Sequence, residues 1–157
     1  MPIPDFIREL RRHVGHDPLW LSGVSAVVVD DTGRVLLTHR ADTHEWAVVS
    51  GVLEPGEQPA RAIVREIVEE TGTHAEVLRL TSVDVTPMIT YPNGDRTHYL
   101  DVCFLARHLS GEPHPADDEN TAVAWFAPDE LPASLAATSR LRIDKALRDD
   151  PRAWYRT

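Results

Sequence analysis

The chain is short of cysteine, of basic residues and of long apolar runs, and each shortage excludes something. A single cysteine, Cys103, in 157 residues rules out an intrachain disulfide framework and fits a reducing compartment, so the cytoplasm is the expected location. Lys and Arg number 16 against 25 Asp and Glu, a formal net charge of -9. So acidic a chain lacks the clustered cations that displace counterions from a nucleic-acid polymer, and no such partner is expected. Apolar runs such as Ala26–Val29 fall far short of the roughly 20 residues that span a bilayer, so no membrane association is expected. The N-terminus, Met1-Pro2-Ile3-Pro4-Asp5, has no basic stretch followed by an apolar core, and no secretory signal is expected. Repeats, low-complexity tracts and Gly/Ser-rich linkers are missing as well, which leaves one domain over 1–157.

What remains is the composition of an ordinary globular protein, 42% hydrophobic and 26% charged, with enough length to bury a core unaided. An acidic chain can still handle a small phosphate ligand when a divalent cation mediates the contact, because the carboxylates then serve as metal ligands.

Along the chain, Asp5 to Val14 carries Phe6, Ile7, Leu10 and Val14 and stops at Gly15, the pattern of a short amphipathic helix within an N-terminal extension, 1–20. Ser22 to Asp30, a turn at Asp31-Thr32-Gly33 and Val35 to Thr38 predict a hairpin. Trp46 to Ser50 is a further short strand. Gln58 to Thr71 turns helical, with Pro59 in the first turn and Gly72 past the end. Ala60, Ile63, Val64, Ile67 and Thr71 form its expected buried face. Val77 to Tyr91 and Arg96 to Arg107 flank Pro92-Asn93-Gly94-Asp95, a strong hairpin signal. Asp117-Asp118-Glu119-Asn120 is a polar loop before a strand over Ala122 to Phe126, and Ser134 to Arg148 predicts a last helix. Short strands with helices between them place the chain in the mixed α/β class.

The chemistry concentrates on the central helix. Glu66, Glu69 and Glu70 stand at i, i+3 and i+4, so three carboxylates share one face. With Glu66 at zero on a helical wheel, Glu69 falls at about -60° and Glu70 at about +40°, beside an apolar arc of roughly 60° to 200°. The carboxylates are thus expected at the edge of the core. Like charges so placed repel by roughly 0.2–0.5 kcal/mol per pair, which a bound cation relieves. Oxygen-only ligands favour a hard ion, Mg2+ or Mn2+, over zinc.

The wider pattern is Gly51, five residues, Glu57, seven residues, then Arg65-Glu66-Ile67-Val68-Glu69-Glu70-Thr71-Gly72-Thr73. Over 51–73 it resembles the Nudix box of the Nudix hydrolase superfamily, MutT-like proteins among them, at every fixed polar and glycine position. Thr73 departs, standing where the family prefers an aliphatic residue. Upstream, the family's frequent W-x-x-P-G-G is replaced by Trp46-Ala47-Val48-Val49-Ser50-Gly51, so Ser50 stands where a glycine often offers its carbonyl to a metal. The resemblance covers Ser22 to Leu131 and implies an α/β/α sandwich with a mixed sheet, here with a short N-terminal helix added.

The resemblance further implies an Mg2+-dependent pyrophosphohydrolase of small nucleotides in which Glu66, Glu69 and Glu70 hold the metal, joined by the Ser50 carbonyl. Mn2+ is the alternative ion, and Glu57 and Arg65 orient the carboxylates. A general base comes in some relatives from a later loop, where Glu119 is the candidate and Asp118 the second. Arg40 is a candidate for a substrate phosphate, Gly51 for the substrate-binding surface, and Tyr91 or Trp20 for stacking on a base. Pro87 and Tyr91, 14 and 18 positions after the box, match markers for ADP-ribose and for dinucleoside polyphosphates respectively. Carrying both leaves open whether (d)NTPs, oxidised nucleotides, ADP-ribose or nucleotide sugars are cut. The same fold hosts non-catalytic nucleotide sensors and isoprenoid diphosphate isomerases, but the sensors usually lose box carboxylates and this chain keeps them all. A homodimer is the expected assembly.

Overall fold

A computed structural model describes residues 3–157, so the first two residues of the N-terminal extension lie outside it. Helix α1 spans Asp5–Val14, α2 Pro59–Thr71 and α3 Ala137–Leu147. The strands are β1 Leu19–Val29, β2 Val35–Arg40, β3 Trp46–Ala47, β4 Val49–Val52, β5 His74–Val85, β6 Ile89–Thr90, β7 Arg96–Ser110 and β8 Asn120–Phe126.

They form one mixed sheet in the order β3-β2-β1-β7-β5, with β4 on β1, β6 on β7 and β8 on β2. Strand β1 runs parallel to β7 along its whole length, from Leu19 opposite Thr97 to Val29 opposite Arg107, while the other pairings are antiparallel. Side chains alternate across the sheet. Val24, Ala26, Val28 and Leu36 point to one core with Ala62, Ile63 and Ile67 of α2. Val27, Val35, Leu37 and Cys103 point to a second core with Ile143 and Ala146 of α3. A helix on each face of a mixed sheet is the expected sandwich. Ile63 and Ile67 are fully buried, so truncating either to alanine costs about 2–5 kcal/mol.

Local signals set α1 and the β6–β7 turn as expected. Arg11 docks α1 by donating to the carbonyls of Asp17 (2.6 Å) and Arg96 (2.8 Å). In the turn, Gly94 has φ 87°, the left-handed region that the Asn-Gly pair supplies.

Four expectations are corrected. The β1–β2 hairpin pairs only at Val29 opposite Val35, because β4 and β7 occupy the two edges of β1 and β2 turns to β8. The strand over Trp46–Ser50 splits into β3 and β4 at Val48, whose buried amide donates to Ser139 Oγ at 3.1 Å. The last helix begins at Ala137, not Ser134, since Trp46 donates to the Ser134 carbonyl and its own carbonyl accepts from Ala136. On α2, Ala60 is exposed and Val64 half-buried. Its buried face is Ala62, Ile63, Glu66, Ile67, Glu70 and Thr71. Among the described residues no helix is long and apolar enough to cross a membrane.

Candidate active site

Helix α2 starts with Pro59 following the extended Gln58 and ends on Gly72, whose φ of 67° is left-handed and whose N–H donates to the Val68 carbonyl at 3.0 Å. Those signals fix the register of its acidic residues. Glu66 and Glu70 are not at the edge of the core but inside it, 0% and 1% exposed. Gly51 makes this possible: a Cβ there would fall on the Glu66 carboxylate. Thr73, the departure from the family pattern, is buried with its hydroxyl 2.7 Å from that of Thr71, so a polar residue is satisfied in an aliphatic position.

Arg65 gathers the carboxylates. Its Nε and Nη2 each donate to Glu57 at 3.0 Å, and its Nη1 donates to Glu66 Oε1 and Glu69 Oε2, also at 3.0 Å. This fork holds the Glu57 carboxyl below the ordinary range and the Arg65 guanidinium above its own. Glu70 makes its bond elsewhere, accepting from Asn120 Nδ2 at 3.1 Å.

Burial pushes Glu66 up to about 7, with Arg65 opposing, and pushes Glu70 up to about 8, with the Asn120 bond opposing and Glu66 adding. Among the described residues, Glu66 Oε2, Glu70 Oε1 and Asn120 Oδ1 are buried without a hydrogen-bond partner. Two buried carboxylates with an orphaned oxygen each are costly when ionised, a cost that protons or a bound cation relieve. An all-oxygen set fits a hard divalent ion. No three acidic, His or Cys side chains are already assembled as ligands among the described residues, and Arg65 Nη1 lies between Glu66 and Glu69. Glu69 is exposed, with its carboxylate on Arg65 Nη1. Ser50 lies in β4, opposite Ser25 and next to Gly51.

The loop before β8 closes the other side. Ala116 donates to the Glu70 carbonyl at 3.2 Å, and Ala41 donates to the Glu119 carbonyl at 2.8 Å. Glu119 Oε2 lies 3.9 Å from Arg40 Nη1. Arg40 forms a fork with Asp42 at 2.9 and 3.0 Å, which holds its charge firmly, with Glu70 and Tyr91 adding to the effect. Asp118 is exposed. Tyr91 is exposed with its hydroxyl 2.8 Å from that of Tyr99.

The structure therefore brings together Gly51, Glu57, Arg65, Glu66, Glu69 and Glu70, and sets Arg40 and Glu119 side by side near Glu70. Trp20 is 60% exposed near the start of β1, opposite His98 of β7. Sequence reasoning missed Asn120 and Asp42. Asn120 carried no signal beyond its place after Glu119, and Asp42 only its spacing from Arg40.

Comparison with known proteins agrees with the geometry. The NUDIX domain family matches residues 20–148. A "MutT-like protein" of Streptomyces ambofaciens is 37% identical over 130 residues, 83% of this chain and 79% of that protein. A "Putative 8-oxo-dGTP diphosphatase" of Bacillus subtilis is 26% identical over 80% of this chain and 79% of its own length. A Vibrio parahaemolyticus protein named "NAD-capped RNA hydrolase NudC" is 29% identical over 78% of this chain but only 46% of itself. Among solved structures, a MutT NUDIX hydrolase from Burkholderia pseudomallei has a TM-score of 0.65 at 33% identity, covering 81% of this chain and 98% of that one. A UDP-X diphosphatase has a TM-score of 0.66 at 26% identity, covering 90% and 68%. With a complete box folded around buried carboxylates and a family match over most of its length, the chain belongs to the Nudix hydrolases, enzymes that act on nucleoside diphosphate derivatives.

Proposed function

We propose that this enzyme is an Mg2+-dependent hydrolase, with Mn2+ able to substitute, that cuts the diphosphate linkage of a small nucleotide. The candidates are a (d)NTP or oxidised nucleotide, ADP-ribose or a nucleotide sugar. The observation that carries the proposal is the buried Glu66–Glu70 pair with one orphaned oxygen each. A divalent cation held there would screen the diphosphate charge and make water a better nucleophile.

In this proposal Glu66, Glu69 and Glu70 would hold the cation, together with the Ser50 carbonyl. Glu57 and Arg65 keep the carboxylates oriented. Arg40 exchanges the Asp42 carboxylate for a phosphate of the substrate, which offers its fork the same geometry. Glu119 takes the proton of the attacking water. The water oxygen forms the new bond to phosphorus, the bridging P–O bond breaks, and the leaving group departs with the bridging oxygen as a phosphate. Gly51, expected at the substrate-binding surface, leaves its room to the Glu66 carboxylate, and Tyr91 offers its ring to a base. The chain acts as one domain, in the cytoplasm and as a homodimer. A solution mass showing only monomer at high concentration overturns the dimer.

The test is product analysis with Mg2+ and a pooled panel of ADP-ribose, nucleotide sugars, dinucleoside polyphosphates and normal and oxidised (d)NTPs, with a capped RNA oligonucleotide alongside. Release of a nucleoside monophosphate from one small member, lost in Glu70→Gln, is the expected result. Cleavage of the RNA alone would overturn the small-nucleotide assignment. Silence throughout would favour a nucleotide-sensing role, pursued by ligand-induced thermal shifts.

A further inference from the structure

Arg65 reaches Glu57, Glu66 and Glu69, but the hydrogen bond to the Glu70 carboxylate comes from Asn120, fifty positions away. Asn120 is 5% exposed. Its place is set by the main chain: it opens β8 opposite Arg40 of β2, where the register shifts between His39 and Arg40. Towards an ionised Glu70, the form that binds a cation, the amide faces Nδ2, since Oδ1 would set acceptor against acceptor. That single bond engages Glu70 Oε2 and leaves Oε1, also buried, without a partner among the described residues.

We propose that Asn120 is a positioning residue for Glu70: its amide clamps Oε2 so that Oε1 is the oxygen presented to a divalent cation. Asn120 Oδ1, on the same planar group, is likewise buried and unpartnered among the described residues. Two holders then divide the acidic cluster, the Arg65 fork on one side and the Asn120 amide on the other. Outer partners of this kind set the direction of a ligand's lone pairs, and their loss typically weakens metal binding about 10–100-fold.

The inference rests on the metal assignment above, and one experiment separates the two. Mn2+ binding to the whole chain is followed by electron paramagnetic resonance for the parent, Glu70→Gln, Asn120→Leu and the double variant. Folding is checked by circular dichroism in EDTA. Asn120→Leu keeps the branch at Cγ, removes the amide, and is expected to weaken Mn2+ about 10–100-fold. In the Glu70→Gln background the same change should alter affinity by less than about twofold, the limit of additive behaviour for uncoupled sites. Parental affinity in Asn120→Leu, or an equal loss in both backgrounds, overturns the positioning role while leaving the metal site standing. Parental affinity in Glu70→Gln overturns the metal assignment and this inference with it. Should Asn120→Leu fail to fold, Asn120→Ala is judged by the same outcomes.

Discussion

The Glu66 carboxylate occupies the space that a side chain at Gly51 would fill. Strand β4 and helix α2 approach so closely there that one residue's missing Cβ is the other's binding cavity. Replacing Gly51 by alanine must push Glu66 aside. Gly51→Ala should lose about 1–3 kcal/mol to overpacking and about 10–100-fold in Mn2+ affinity. Urea denaturation and Mn2+ titration check this, and a variant with parental Mn2+ affinity would show that the position of Glu66 is immaterial.

Arg65→Lys keeps the charge and loses the fork that binds Glu57 through two nitrogens. Arg65 is partly exposed, so global stability should move by less than about 1 kcal/mol. Turnover should fall about 10–100-fold because the carboxylates are no longer held in one arrangement. A large stability loss with unchanged specific activity would mean that Arg65 supports the fold and not the site.

The raised carboxyls of Glu66 and Glu70 make stability without metal depend on pH. In the folded chain they hold protons up to about 7 and about 8, well above the ordinary carboxylate value near 4.3. Between about pH 4.5 and pH 8 the folded state therefore binds more protons than the unfolded one, and stability falls as pH rises. The depressed carboxyls of Asp30 and Glu57 act in the opposite sense but below that window. In EDTA the Tm should decline from pH 5.5 to 8.5, and Mg2+ or Mn2+ should restore it most at the alkaline end. A flat profile in EDTA would contradict the burial of these charges.

Glu119→Gln tests the proton acceptor. A positioned base contributes about 10²–10⁴-fold, and turnover should fall by that factor with little change in Mn2+ affinity. Nearly full turnover would remove Glu119 from the role and direct attention to Glu69 or Asp118.

What could be read in advance was local. Pro59 and Gly72 bound α2 because they act within one turn of it, and Asn93-Gly94 set a turn that needs no distant partner. The spacing of Glu57, Arg65, Glu66, Glu69 and Glu70 likewise named the cluster. The wheel nevertheless placed Glu66 and Glu70 at the core's edge, because it averages over neighbours and cannot see a glycine on another strand. The partner of β2 was missed for the same reason: β1 has two edges, one filled by residues 78 positions later, and β2 pairs with residues 80 to 91 positions later.

The amino-acid order alone thus determined the donor chemistry: acidic, oxygen-rich, on one helix, beside an arginine able to hold several carboxylates. Tertiary structure decided how deep those carboxylates lie, which oxygens stay unpaired, and that Asn120 rather than Arg65 holds Glu70. The division follows from range. Helix register and turn geometry are settled by neighbours a few residues apart, whereas burial, and with it the cost of an ionised carboxylate, depends on whatever distant backbone packs against it.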